Sequence, residues 1–265
     1  MSSLPVSTST HSSLRWAVSD VLTIARRNLM SLVRIPVAIV FMIIQPIMFV
    51  ILFRYVFGGV IQIPTTSYVN YLIPGILVQT MIFGSVGTAI GLAEDLQKGL
   101  IERFRALPMA RLAVLAGRTI SDMFRNVIVL VIITGVGFLV GFRPQGGFVA
   151  YIQASLLMLL FAYCLSWGFA FIGLAAPNSE AAQAITFPII FPLTFASSIF
   201  VLVSTMPSWL RPFAINQPIS QTATAVRGLM LGEAHGQSTW ISLAWAVGTI
   251  LVLAPLAVNR YRKVA

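Results

Sequence analysis

The sequence predicts an all-α integral membrane protein with six transmembrane helices, and three observations carry that expectation. Hydrophobic residues make up 58% of the chain and charged residues 9%, with a mean hydropathy of +0.92, against roughly 25% charged residues in soluble domains. Six runs of about 20 predominantly apolar residues, the length that crosses roughly 30 Å of hydrocarbon, are separated by short polar stretches. These runs far outlast the alternating strands of about ten residues that build a membrane barrel, so helices are the expected spanning form.

Residues 1–14 open with MSSLPVSTSTHSS, a Ser/Thr-rich stretch that lacks the basic start and apolar core of a signal peptide. Ser2 stands where myristoylation needs glycine, so a disordered cytosolic tail is expected. Residues 15–35 read as an amphipathic helix lying along the membrane face. Arg15, Ser19, Thr23, Arg26, Arg27, Ser31 and Arg34 recur at spacings of three and four, and Trp16, Val18, Val21, Leu22, Leu29 and Leu32 supply the apolar side. Such a helix serves either as an interfacial anchor or as a contact for a cytosolic partner.

The six-span domain covers 36–258, with spans at Pro36–Phe57, Tyr71–Ala93, Ile120–Phe142, Tyr151–Ala175, Gln183–Ser204 and Trp240–Val258. Residues 259–265 form a basic cytosolic tail. Orientation follows from the loops. Before the first span, between the second and third, and after the last lie twelve Lys and Arg residues, whereas the opposite loops hold only Arg143, Arg211 and Arg227. Positive charge stays inside, which puts both termini in the cytosol.

Between the second and third spans, EDLQKGLIERFRALP places Leu96, Leu100, Ile101, Phe104 and Leu107 on one helical face. Glu94, Asp95, Lys98, Glu102, Arg103 and Arg105 supply charge around it, and Pro108 ends the helix because it lacks the N–H and its ring obstructs continuation. A mere connection needs only a few polar residues; this one has about 25 with their own periodicity, which suits docking. Between the fifth and sixth spans, two short amphipathic helices are expected to dip into the outer leaflet. In the second of them Ile219, Ala223, Val226, Leu229 and Met230 share a face and Gly232 marks the stop. Arg227 is costly in hydrocarbon unless it clamps carbonyls or headgroups.

Gly84, Gly87 and Gly91, with Gly137 and Gly141, carry the small-residue spacing that lets helices approach closely. Pro188 and Pro192 in FPIIFP predict a bend or a flexing gate in the fifth span. Asp122 and Arg125, three residues apart, are expected to pair.

Enzyme chemistry finds little support. His11 and His235 are isolated, the single Cys164 lies in an apolar run, no metal-ligand cluster has the right spacing, and no Gly-Lys pair exists to build a phosphate loop. The net charge of +10 is spread between apolar runs rather than gathered on the single face that nucleic acid requires. A secondary transporter would want carboxylates at the bilayer midplane, but Asp122 and Glu180 lie near span ends.

Four stretches resemble the type-2 ABC exporter permease family, and its daunorubicin-resistance permease subfamily in particular. They are YLIPGILVQT at Tyr71–Thr80, KGLIERFRALPMAR followed by LAGR, PSWLRPFA at Pro207–Ala214, and NQPISQTATAVRG at Asn216–Gly228. The resemblance implies a permease subunit of an ATP-driven exporter in the cytoplasmic membrane. Its partners would be two copies of a separate ABC ATPase, which bind ATP and Mg, and a second permease, the same or a sister chain. By the same resemblance, Glu94–Pro108 corresponds to the coupling helix, with Glu94, Asp95, Lys98, Glu102, Arg103, Phe104, Arg105 and Pro108 as its contact residues. Arg26, Arg27 and Arg34 then belong to the connecting helix, and Asn216, Pro218 and Arg227 to an external signature. This chain itself would hold no cofactor. The substrate class is amphipathic, either a drug-like molecule or a lipid or polysaccharide, and Phe49, Phe83, Phe191 and Phe195 are candidates to line its route.

Overall fold

In the computed structural model the described residues are 14–34, 36–61, 63, 64, 66–105 and 113–264, and they form helices and turns with no strand among them. Ten α-helices follow in order: α1 (Leu14–Val33), α2 (Pro36–Leu52), α3 (Tyr68–Gln97), α4 (Leu100–Arg105), α5 (Ala113–Leu139), α6 (Gly147–Ala175), α7 (Ser179–Phe195), α8 (Arg211–Asn216), α9 (Pro218–Leu231) and α10 (Gly236–Val264). A π-helical turn, Phe53–Phe57, prolongs α2. The tail expected over residues 1–14 lies outside the described residues, Leu14 excepted.

Four helices, α3, α5, α6 and α10, are long and apolar enough to cross a membrane. The first and fifth expected spans are shorter as helices. At about 1.5 Å per residue, the 17 residues of α2 and of α7 reach about 25 Å each. The fifth departs most from expectation. Helix α7 ends at Phe195, and the next five residues form turns rather than a further helical turn. Pro188 and Pro192 lie inside α7 and remove two backbone donors, so its last turns are weakly held and the chain bends away.

The architecture is a bundle around α3. Of the most apolar stretch of α3, 72% is buried, against 17% for α10, so α3 is the central post and α10 a peripheral wall. Its most extensive packing is against α6, and α10 closes on the other side of α6. Gly173 of α6 permits that contact, because a Cβ there would strike the Ala89 carbonyl of α3. The main core joins Leu72, Ile76, Met81 and Ile82 of α3 to Phe161 of α6 and Val226 of α9. Ser67 caps the start of α3 by accepting the Asn70 N–H at 3.4 Å, and Asn178 caps α7 by accepting the Ala181 N–H at 2.8 Å.

Helix α1 packs along α5, with Ile24 and Ala25 buried and Leu22 54% exposed. The packing face is therefore centred one helical step from the expected Leu22 side. Gly117 sets the spacing, since a Cβ there would meet the Ile24 side chain at 2.7 Å.

The expected docking helix is two pieces. Helix α3 runs on to Gln97, the chain turns at Gly99 with φ +64°, and α4 starts afresh at Leu100. A left-handed φ is routine only for glycine, so the break belongs to Gly99. Helix α5 begins at Ala113, which places Arg118 inside it rather than in the loop. At the far end of the chain α10 continues to Val264 without a separate tail, and Tyr261 is buried.

Candidate functional site

Two cavities lie along α3. The first, a half-open cleft of about 680 Å³, is bounded by α2, α3, α5 and α7. Its walls are Phe49, Phe83, Phe187 and Phe191 with Met42 and Val129, and its polar lining is Gln45, Gln79, Thr80, Asn126 and Arg125. Three of the four expected phenylalanines thus face one chamber. The fourth, Phe195, is not among its lining residues but extends an aromatic ladder from it. Phe83 meets Phe191 edge-on at 5.6 Å, Phe191 stacks on Phe195 at 5.9 Å, and Phe195 stacks on Phe200 at 5.3 Å. Phe200 in turn stacks on Phe53 at 4.3 Å. Rings at these offsets attract through their quadrupoles beyond their area burial, so the ladder runs from the chamber to the π-helical turn.

The second cavity, of about 770 Å³, is a charged vestibule between α1, the end of α3, α4 and the start of α5. The three connecting-helix arginines, Arg26, Arg27 and Arg34, line it together with Glu94, Asp95 and Lys98. Arg27 reaches Asp95 at 3.5 Å and so ties α1 to α3. Lys98 pairs with Glu94 one turn away, and the bond to Glu94 raises the Lys98 pKa above its ordinary value. Glu102 and Arg103 are exposed and are not among its lining residues. The side chains of Phe104 and Arg105, and all of Pro108, fall outside the described residues.

A buried ion cluster separates the two cavities. Arg125 Nη1 lies 3.1 Å from Asp122 Oδ1, the expected pair. Arg118 approaches the same carboxylate at 3.9 Å, and the Thr88 hydroxyl donates to it. Both arginines also donate into α3, Arg118 to the Gly87 carbonyl at 2.9 Å and Arg125 to the Gly84 carbonyl.

This contact gives the glycine stripe a different reading from its spacing. Gly84, Gly87 and Gly91 make room for side chains of α5 rather than for a helix backbone. A Cβ at Gly84 would meet the Asn126 amide, at Gly87 the Arg125 guanidinium at 2.9 Å, and at Gly91 the Arg118 guanidinium. Gly137 likewise faces a side chain, with Ile73 of α3 at 3.0 Å from its would-be Cβ, whereas Gly141 lies in the turn after α5.

At the opposite end of α3 the three external-signature residues do not converge. Asn216 is exposed, and its amide donates to the Pro212 carbonyl within α8 at 2.8 Å. Pro218 starts α9, where a missing N–H costs nothing. Arg227 alone is in the core. Its Nε donates to the Tyr71 carbonyl at 3.0 Å and its Nη2 to the Ser198 carbonyl at 2.9 Å. Burial lowers the Arg227 pKa, yet a guanidinium keeps its proton across the physiological range.

Helix α9 therefore packs inside the protein, against α10, α6 and α3. Its expected apolar face is buried in full, and its stop at Gly232 falls where predicted, with φ +74°. One residue escaped the sequence reading here. Gln217 is buried, and its amide donates to the Leu193 and Ala196 carbonyls at 2.9 and 2.7 Å, closing the frayed end of α7.

Among the described residues no three His, Cys, Asp or Glu side chains gather as a metal site. Against known families, residues 19–231 match the profile described as ABC-2 type transporter. Among curated proteins, the chain is 36% identical over 247 residues to a daunorubicin resistance ABC transporter permease protein of Streptomyces coeruleorubidus, covering 93% of this chain and 87% of that one. It is 24% identical over 251 residues to a probable doxorubicin resistance ABC transporter permease protein of Mycobacterium tuberculosis, covering 94% and 90%. A putative transport permease of Cyanophora paradoxa is 24% identical over 228 residues, covering 84% and 77%.

Proposed function

Because the chain belongs to the ABC-2 type transporter family, a family of multi-pass membrane permeases, we propose that it is the permease subunit of a drug exporter driven by a separate ATPase. The observation that carries this reading is the chamber of about 680 Å³ beside α3. Its size falls among cavities that hold drug-sized ligands, roughly 300–1,000 Å³, and its phenylalanine walls suit a flat apolar body. Such a volume favours a small amphipathic molecule over a polysaccharide. The names of the relatives, which are drug-resistance permeases, point the same way.

In this reading α2 with its π-helical turn and α7 with the turns after it complete six spans, in the cytoplasmic membrane with both termini cytosolic. ATP and Mg bind to the partner ATPase, two copies of which serve a pair of permeases. Helix α4 and the segment up to Pro108 form the contact with that ATPase. Support comes from how α4 is seated. Ile101 is 1% exposed in a cluster with Leu92, Leu115, Leu174 and Tyr261, and α4 packs chiefly on α3, so a push on α4 passes to α3 and through the cluster to α5, α6 and α10. From there α3 leads straight to the chamber.

The test is co-purification with a co-expressed ABC ATPase, alongside ATP-dependent drug efflux. Reversing charge at Arg103 and Arg105 is expected to lower both while membrane insertion is kept. If both stay at wild-type levels, the assignment of α4 fails.

A further inference from the structure

The chamber and the vestibule meet at one side chain. Arg125 lines both, and what the two cavities offer a ligand is complementary. In the chamber Arg125 is the single charged residue among the described lining, so no carboxylate faces inward to receive an amine. Among the described residues the vestibule is lined by six cationic side chains, Arg26, Arg27, Arg34, Lys98, Arg118 and Arg125, against three carboxylates, Glu94, Asp95 and Asp122. Each carboxylate is already engaged. Asp95 meets Arg27, Glu94 meets Lys98, and Asp122 is shared by Arg118 and Arg125. The junction cluster therefore keeps one positive charge in excess, and the vestibule keeps three.

From this arrangement we infer that the two cavities, which share Arg125 as a wall, together bind an amphipathic anion. The apolar body lies among the phenylalanines of the chamber, and an oxyanion head (phosphate, sulfate or carboxylate) rests at the Arg125–Arg118 junction, facing Arg26 and Arg34. The inference rests on the permease reading for its transport consequence and on the cavity chemistry for the binding itself. An oxyanion gains charge-assisted hydrogen bonds from guanidinium groups, and a cleft with apolar walls focuses the field of the excess charge. A cationic head in the same place would lose hydration with no free carboxylate to replace it. The aromatic ladder through Phe195 and Phe200 continues the apolar surface away from Arg125, so the ligand lies with its head toward α1.

The experiment uses the full chain in phosphatidylcholine nanodiscs and labelled dodecyl phosphate, with empty discs as background. Saturable binding is expected, with dodecylammonium competing at least about tenfold more weakly than unlabelled dodecyl phosphate, as loss of one charge-assisted contact implies. Inorganic phosphate alone is expected to compete only at far higher concentration, because it cannot use the chamber. Arg125→Gln should weaken dodecyl phosphate binding about tenfold or more by the same measure. Should that variant fail to fold, the double variant Arg26→Gln with Arg34→Gln, both exposed, must weaken it instead.

Equal competition by dodecylammonium would overturn the inference, as would unchanged affinity in a folded Arg125→Gln protein. Inorganic phosphate competing as well as dodecyl phosphate would overturn the placement of the body in the chamber. These outcomes differ from failure of the permease reading itself. Anion binding without any ATP-dependent efflux breaks the permease reading alone, and efflux of a cationic amphiphile without anion binding breaks this inference alone.

Discussion

The Arg227 guanidinium carbon lies 3.5 Å from the centroid of the Tyr71 ring, and the two residues stitch α9 to the head of α3. Arg227 donates to the Tyr71 carbonyl, and the Tyr71 hydroxyl donates to the Ser198 carbonyl at 2.8 Å with the Val201 carbonyl close by at 2.9 Å. Tyr71 and Arg227 thus share the hold on the turns after α7 with Tyr68, which donates to the Phe200 carbonyl at 3.3 Å, with Ser220, which accepts the Ser198 N–H at 3.0 Å, and with Gln217. Arg227→Ala removes a charged donor from two buried carbonyls, and a cost of about 3 kcal/mol is expected from the loss of hydrogen bonds to a charged group. Arg227→Lys keeps the charge but not the fork that reaches two carbonyls, so it should recover little. Tyr71→Phe keeps the ring and should lose only about 1 kcal/mol. Thermal unfolding of the three variants in detergent measures the order; a lysine variant as stable as wild type would refute the clamp.

Glycine substitutions separate three kinds of contact. At Gly173 a Cβ meets the backbone of Ala89, at Gly91 the end of the Arg118 side chain, and at Gly135 nothing within 4 Å. Backbone cannot swing aside, so Gly173→Ala should cost about 1–3 kcal/mol as an overpacking change. Gly91→Ala displaces a flexible side chain and should cost less, while weakening the Arg118 bond to Gly87. Gly135→Ala should be neutral or gain up to about 1 kcal/mol from helix propensity. Thermal midpoints in that rank order are the expected result.

Sequence periodicity located most helices because a membrane helix must pair its own backbone, whatever its neighbours do. What periodicity could not carry is the register between helices. The slots at Gly84, Gly87 and Gly91 are visible only once Asn126, Arg125 and Arg118 are known to lie opposite them, and spacing within one helix says nothing of what stands across from it. Arg227 was legible as a buried charge in need of carbonyls, but not which carbonyls. Gln217 carried no signal, since a glutamine in a loop between two prolines looks like any solvated residue. The early end of α7 was hinted at by FPIIFP, where a bend and a flexing gate have the same sequence.

The Arg27–Asp95 pair joins α1 to α3 at 3.5 Å, with side chains 36% and 13% exposed. Partial exposure limits its worth, so a double-mutant cycle should return a coupling of about 0.5–1 kcal/mol. Arg27→Glu should loosen α1, read as faster amide exchange over α1. Swapping both charges, Arg27→Asp with Asp95→Arg, should recover part of the protection. A swap no better than the single variant would show that α1 is held by Ile24 against Gly117 alone.

Ile101 decides whether α4 moves with the bundle or apart from it. Six residues are too few for a helix to hold itself in water, so the seat of Ile101 among Leu92, Leu115 and Tyr261 is what keeps α4 in place. Ile101→Ala removes that anchor at a cost of about 2–4 kcal/mol for a fully buried aliphatic side chain, whereas Ile101→Leu should cost less than about 1.5 kcal/mol. Because the loss is local, the global thermal midpoint should fall little, while amide exchange over α4 should rise by orders of magnitude. In a reconstituted complex the alanine variant should still co-purify with the ATPase, since Glu102 and Arg103 remain exposed for contact. ATP hydrolysis should then continue with less efflux per ATP. Efflux falling in strict proportion to hydrolysis would mean that force enters through another element, and α1 would be the next to test.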